Sequence, residues 1–324
     1  MFSKICFFHN HVNGDCFLSR ILVKQIIDAT KNKNIMYFYT APRALVSHCL
    51  DLGISDDHFN IISVPYPEKI FFITHDILFV NIWIGIHTML PSSVINDVCG
   101  LCLKNVIPNY NNLITLLNNT YSLNINFIND EFNVSPYLPI DHKYYNGDFI
   151  HKFISENKKT YEKIVLISNN NPTTFITLNN ITKRYLLPII NKFPNYLFIT
   201  FEDTIKQSDN LISIKKIYQK TETPINQNYG LIFSLLSKLS DKVILIPSGA
   251  SLTCFNNETI ENKFMMFFDF SNYGNPEGCP HCNNSKYKLC TSRFNWDITI
   301  MDVKFNNVNL NNDIYTFVTN FLQK

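Results

Sequence analysis

Two blocks of alternating strand-like and helix-like hydrophobic patterns, separated by a stretch with neither period, constrain this chain more than any other feature. Residues 5–8 (Ile-Cys-Phe-Phe) form a short apolar run suited to a buried strand, and a polar loop follows at 9–15. Phe17, Ile21, Leu22, Ile26 and Ile27 then recur at helical spacing, which predicts a helix over about residues 15–30. Residues 35–39 read as the next strand and 42–52 as a helix. Further strands are expected at 59–64 and 70–80, and a helix opened by Pro108 at 108–119, with Leu113, Leu116 and Leu117 on one side. The stretch 124–146 is rich in Asn, Pro and Tyr, lacks periodicity, and reads as an interdomain link.

Beyond the link the pattern restarts. Strands are predicted at 163–168, 196–201, 211–214, 243–246 and 263–270, with helices at 174–192, 229–239 and 312–322. In the helix at 229–239, Leu231, Leu235, Leu236 and Leu239 are expected to face the core. Strand–helix–strand alternation is the signature of a parallel sheet covered on both faces. The expected class is therefore α/β, with two Rossmann-like domains facing each other across a cleft, residues 1–140 and 141–324. A length of 324 residues suits two domains of ordinary size.

Composition removes several function classes. With 46% hydrophobic and 17% charged residues there is material for a core and no signature of disorder. A formal charge of +2 without a basic stripe argues against a nucleic-acid partner. The most lipophilic stretch, 70–90, is interrupted by His75, Asp76, Asn81 and His87; two adjacent buried strands and a loop explain it better than a transmembrane segment. The first ten residues carry one Lys and too short an apolar run for a signal peptide. Nine cysteines, an odd number with several in apolar runs, then suggest a reduced, cytoplasmic protein. The abundance of Asn reads as compositional bias of the source and not as function.

In open parallel sheets ligands bind at the carboxyl ends of the strands. That rule points to three loops: 9–15, 168–173 and 247–253. In the first, Gly14 permits a tight turn. Asp15 is placed either to cap the helix, worth about 1 kcal/mol, or to take a proton from a substrate hydroxyl. His9 and His11 flank the loop, as possible alternatives for that role or as plain polar loop residues. The third loop, Ser248-Gly249-Ala250-Ser251, follows a very apolar run. Its small residues and hydroxyls suit close approach of backbone amides to a phosphate, and equally a glycine turn with capping serines. The middle loop, with Ser168, Asn169 and Thr173, has the same character. The nine glycines form no Gly-x-Gly-x-x-Gly and no Walker A loop, which weighs against NAD and P-loop chemistry. No Gly-x-Ser-x-Gly elbow is present. No Asp-x-Asp pair is present either, which weighs against a metal-held nucleotide diphosphate.

The order of elements, Gly14-Asp15 opening the first helix and a Ser248-Gly249 loop late in the second half resemble the GT-B glycosyltransferases, and among them the heptosyltransferase family. The resemblance implies an inverting, metal-independent transfer from a nucleotide-sugar donor to a hydroxyl on a glycan, lipid or protein acceptor, with no cofactor required for catalysis. It implies Asp15 as general base and His9, His11, Asn13 and Gly14 on the acceptor side. Ser168, Asn169, Thr173, Lys183, Ser248, Gly249, Ala250 and Ser251 would lie at the donor diphosphate. The family's Asp-Thr-Gly loop reads Pro247-Ser248-Gly249 here, so the Asp is missing, as is the His that follows it; this leaves the donor open. Two other readings remain open: a non-catalytic nucleotide- or glycan-binding protein of the same fold, and another α/β enzyme such as an epimerase.

Cys279-Pro280-His281-Cys282 with Cys290 downstream has the most ligand-like spacing in the chain. Two thiolates two residues apart can share one metal, with Cys290 or His281 completing a structural zinc or iron site. A surface loop with free thiols or an occasional disulfide fits the same residues. Some heptosyltransferase relatives carry a cysteine-held metal finger. Cys99-Gly100-Leu101-Cys102 lies in an apolar stretch and reads as packing.

Overall fold

The computed structural model describes residues 2–8, 13–40, 51–54, 64–82, 103–129, 140–144, 148–168, 186–201, 208–218, 229–245, 253–254, 263–268, 298–302 and 310–324. The fold class is α/β, with two mostly parallel sheets. The described residues up to Tyr144 belong to one compact unit and those from Asp148 onward to a second. Residues 59–63 of the strand predicted at 59–64, 42–50 of the helix predicted at 42–52 and 174–185 of the helix predicted at 174–192 lie outside the described residues.

The first unit comprises β1 (Lys4–Phe8), α1 (Asn13–Thr30), β2 (Met36–Thr40), β3 (Phe71–Thr74), β4 (Ile77–Asn81) and α2 (Leu103–Tyr121). Its sheet runs β2-β1-β4-β3, with β1 parallel to both neighbours. Ile5, Cys6, Phe7 and Phe8 are all fully buried, which is why the run is continuously apolar and not alternating. On one face the rings of Phe72 and Phe79 stack at 4.7 Å, and Phe8 meets them edge-on at 6.1 and 6.4 Å.

Three expectations need correction in this unit. The strands at 70–80 form an antiparallel hairpin, not part of an all-parallel sheet, because the His75-Asp76 connection is far too short for a crossover. The turn also anchors the start of β1. The Asp76 carbonyl accepts the Ser3 and Lys4 amides at 2.9 and 3.2 Å, and the Ser3 hydroxyl, then Lys4, hold the Asp76 carboxyl below its ordinary range. Helix α1 begins at Asn13, so the backbone puts Asp15 at the third helical position and not at the cap. Helix α2 begins at Leu103, five residues before Pro108. An interior proline removes one backbone hydrogen bond; burial of Ile107, Tyr110, Leu113, Ile114 and Leu117 along one stripe offsets that loss.

The start of the expected link is well held. Residues 122–129 have no regular structure, yet Leu123, Ile125 and Ile128 are buried. Two amides on α2, seven residues apart and so on one helix face, pair with their backbone. Asn118 binds both the N–H and the carbonyl of Ile125 at 2.8 and 2.9 Å, and Asn111 binds those of Ile128 at 2.8 and 2.9 Å. Each side-chain amide does what a neighbouring strand would do. The asparagines are therefore not compositional bias alone.

The second unit comprises α3 (Asp148–Asn157), β5 (Lys163–Ser168), α4 (Leu186–Lys192), β6 (Tyr196–Thr200), β7 (Leu211–Ser213), α5 (Ile214–Tyr218), α6 (Tyr229–Leu239), β8 (Lys242–Leu245), β9 (Phe264–Phe268), β10 (Ile298–Asp302) and α7 (Leu310–Gln323). Its sheet runs β10-β9-β8-β5-β6-β7, and every pairing is parallel. Counted from the unit's own first strand, this is the doubly wound order 3-2-1-4-5-6. On one face Val165, Ile167, Phe198 and Ile244 pack against Ile189 and Ile190 of α4 and Val318 and Phe321 of α7. Helix α6 departs from the expected one-sided pattern: all six residues from Ile232 to Ser237 are buried. The Ser237 hydroxyl reaches the Cys254 carbonyl at 3.1 Å, so the side expected to meet water carries chain instead. Helices α3 and α5 and strand β10 have no counterpart in the sequence reading. Among the described residues no helix is long and apolar enough to cross a membrane.

Candidate functional site

The second sheet reverses its winding between β5 and β8. The chain lays β6 and β7 on one side of β5, then returns to lay β8, β9 and β10 on the other. Crossovers diverge from such a point, leaving a crevice outside the carboxyl ends of the two strands. Ser168 ends β5, is fully buried, and pairs in register with Leu245, the last residue of β8. Two loops singled out in the sequence, one from Ser168 and the other through residues 247–253, thus leave from two strands that pair with each other. Of the residues named on them, Ser168 is described; Asn169, Thr173, Lys183, Ser248, Gly249, Ala250 and Ser251 lie outside the described residues.

The first sheet reverses in the same way between β1 and β4. Phe8, at the carboxyl end of β1, pairs with Thr40 on one side and Asn81 on the other. The chain then enters α1 at Asn13, so Asn13, Gly14 and Asp15 form the first helical turn beyond this switch point. A helix start presents unpaired amides and the positive end of the dipole, which favours an ionised carboxylate or a bound anion. His9 and His11 lie outside the described residues.

Several residues on this rim escaped the sequence reading. Asn81 is only 1% exposed. Its backbone N–H donates to the Ile70 carbonyl at 2.8 Å and its side-chain amide to the Pro67 carbonyl at 3.4 Å. Both bonds fold the turn before β3 onto the carboxyl edge of the sheet. On that turn Tyr66 stays 45% exposed, with its ring 5.3 Å from Phe72 and the Lys69 ammonium 4.4 Å from its centroid. The readable signals were a polar residue closing an apolar run and an aromatic flanked by Pro65 and Pro67. The same signal marks the second unit, where β5, β6 and β7 end on the buried hydroxyls of Ser168, Thr200 and Ser213. Ser213 also accepts the Lys216 amide at 3.3 Å.

The opposite, amino edges of the sheets carry lysines that their own chain engages. Lys4 pairs with Asp76 at 3.1 Å, Lys163 donates to the Leu322 carbonyl at 2.9 Å, and Lys263 donates to the Lys238 carbonyl at 3.0 Å. Burial, and then neighbouring Lys163 and Lys324, hold the Lys242 ammonium below the usual lysine range. Uncharged hydrogen-bonding groups thus close β4, β5, β6 and β7, and engaged lysines stand at the amino ends of β1, β5 and β9.

Burial pushes the Cys6 and Cys254 thiols up to about 12, so both are neutral core groups and not nucleophiles. Among the described residues no group of three His, Cys, Asp or Glu side chains is arranged to hold a metal ion. Cys279, Cys282 and Cys290 lie outside the described residues. Comparisons with protein-family models, with curated proteins and with solved structures gave no match for this chain.

Proposed function

We propose that this chain is a cytoplasmic glycosyltransferase that moves a sugar from a nucleotide-sugar donor to a hydroxyl of a glycan, lipid or protein acceptor, with the two units closing on the substrates as in the GT-B fold. The observation that carries the reading is the all-parallel second sheet in doubly wound order, from whose switch point the loops beginning at Ser168 and leading to Ser248–Ser251 depart. In this reading the backbone amides of those loops, with Lys183, neutralise the leaving diphosphate. Asp15 takes the proton from the acceptor hydroxyl. The acceptor oxygen forms its bond to the anomeric carbon as the bond to the diphosphate oxygen breaks, which inverts that carbon. An ordinary Asp pKa of about 3.9 keeps such a base ionised at neutral pH. His9, His11, Asn13 and Gly14 line the acceptor side, and Tyr66 offers its exposed ring as a stacking surface for a sugar face. The chemistry needs no cofactor; the role proposed for Cys279, Cys282 and Cys290 is structural binding of zinc or iron.

The absence of Asp and His from the loop at 247–251 supports a second reading, a binding protein of the same fold that no longer transfers sugar. Thermal shift against a panel of nucleotides and nucleotide sugars tests binding. A ligand at 100 times its Kd adds about 2.7 kcal/mol, or about 5–10 °C for a unit of this size. Silence from every nucleotide and nucleotide sugar refutes the transferase and favours a glycan-binding protein of the same fold or another α/β enzyme. Donor hydrolysis or transfer by wild type separates enzyme from binder, and a folded Asp15→Asn variant that keeps full transfer removes Asp15 as the base.

A further inference from the structure

The most completely buried charge described in the first unit has no part in the reading above. Arg20 on α1 is fully buried, and its two terminal nitrogens meet the two carboxylate oxygens of Asp51 at 2.8 and 2.6 Å. The Asp51 side chain is only 6% exposed. One of its oxygens also accepts the backbone N–H of Asp141 at 3.0 Å, across 90 residues of sequence. Asp141 itself is exposed, and its carboxylate turns outward to Lys143 at 2.7 Å. Its neighbour Ile140 is buried, and beyond Tyr144 the chain passes into the second unit. One buried carboxylate thus holds three separate segments: α1, the turn at Asp51, and the last described segment of the first unit.

We infer that Asp51 is a latch that fastens the start of the inter-unit connection to α1, so that a displacement of that connection is felt by the helix whose first turn carries Asp15. A buried carboxylate needs all its hydrogen bonds, because an unmet one leaves charge in a poorly polarisable interior. The guanidinium fork fixes the carboxylate's plane, and the fixed plane dictates where the Asp141 amide sits. A helix is stiff along its axis, and Arg20 lies five residues, about 7.5 Å, from Asp15. Movement at residue 141 therefore loads α1 through a rigid bidentate pair and not through a flexible side chain.

Hydrogen exchange on the full chain tests this without any substrate. In wild type the Asp141 amide, although on an exposed residue, exchanges at least about tenfold more slowly than in a free chain. In Asp141→Pro, which deletes this N–H and leaves the Arg20–Asp51 pair, amides of residues 17–23 exchange faster while those of residues 164–168 are unchanged. In the Arg20→Met/Asp51→Leu variant, which removes both charges together, protection at residue 141 disappears. Free-chain exchange at Asp141 in wild type overturns the latch, as does an unaltered α1 in Asp141→Pro. Retained protection at 141 in the double variant does the same, and if that variant fails to fold, the first two measurements decide.

Discussion

Replacing Asn210 should destabilise the second unit far more than its place in an Asn-rich chain suggests. Asn210 is 5% exposed and precedes β7. Its amide nitrogen lies 3.1 Å from the carbonyl of Ile190, 2.9 Å from that of Phe193 and 3.0 Å from that of Tyr196, while its oxygen accepts the Ser208 hydroxyl at 2.7 Å. It thereby serves the end of α4, the turn after it and the start of β6 with one group. An amide has two hydrogens, so two full donated bonds are at stake and not three, together with the bond accepted from Ser208, whose hydroxyl keeps the Asn191 side-chain oxygen at 3.3 Å. Two of the carbonyls keep another donor: Phe193 N–H for Ile190 and Tyr196 N–H for Phe193. That keeps the loss near the net worth of a bond, about 1 kcal/mol each, plus a small cavity. Asn210→Ala is therefore expected to cost about 2–3 kcal/mol. Asn210→Asp keeps the shape but turns an accepting carboxylate oxygen, in place of the donating amide, toward three carbonyls, and should cost more at pH 8 than at pH 4. The carboxyl there would have a folded pKa above its unfolded value, so stability present at low pH is lost as pH rises through the folded pKa. Urea unfolding followed by exchange in residues 164–168 and 196–200 isolates the second unit without assuming one transition for the chain. With a slope near 2 kcal/mol/M the alanine midpoint moves by about 1–1.5 M. A shift below about 0.25 M, or an aspartate penalty that does not change with pH, refutes the reasoning.

Cys6 and Cys254 should resist thiol reagents at pH 8 in the folded protein and react only on unfolding, since burial pushes both up to about 12. Their contribution to stability is complete below the unfolded thiol pKa and should fall as pH climbs from about 9 towards 12, which thermal melts across that range would reveal. Asn118→Ala removes both bonds to Ile125 and should cost about 1–3 kcal/mol; exchange should rise at Ile125 while Ile128, held by Asn111, stays protected. Freshly purified, reduced protein should carry zinc or iron on Cys279, Cys282 and Cys290, and elemental analysis finding neither metal would remove the site.

The strand ends to which the carboxyl-edge rule pointed belong to β1, β5 and β8, which are parallel strands of the two sheets. The continuous apolar runs at residues 5–8 and 163–168 marked the two central strands, because a strand buried on both faces has no polar side to show. The polar loops after them then followed from chain order. The polar close of an apolar run at Asn81 and the prolines around Tyr66 were readable, but their meeting at one rim was not, because what brings the turn before β3 there is a pair of bonds from Asn81 rather than a local period. Arg20 was illegible for a related reason. A lone arginine on a helix reads as a solvated side chain, and its partner Asp51 lies 31 residues away.

What the sequence determined by itself was the local alphabet: two α/β blocks, most of the described strands, and the presence of the helices α1, α2, α6 and α7. Hydrophobic period is a property of neighbouring residues, and it survives without knowledge of the rest of the chain. What only the tertiary structure decided was which strand lies beside which. The order β10-β9-β8-β5-β6-β7, the antiparallel hairpin in the first sheet, and the tasks of Asn111, Asn118, Asn210 and Asp51 all depend on contacts between segments distant in sequence. No local pattern encodes such contacts, because a side-chain amide or carboxylate looks the same whether it meets water or the backbone of another segment.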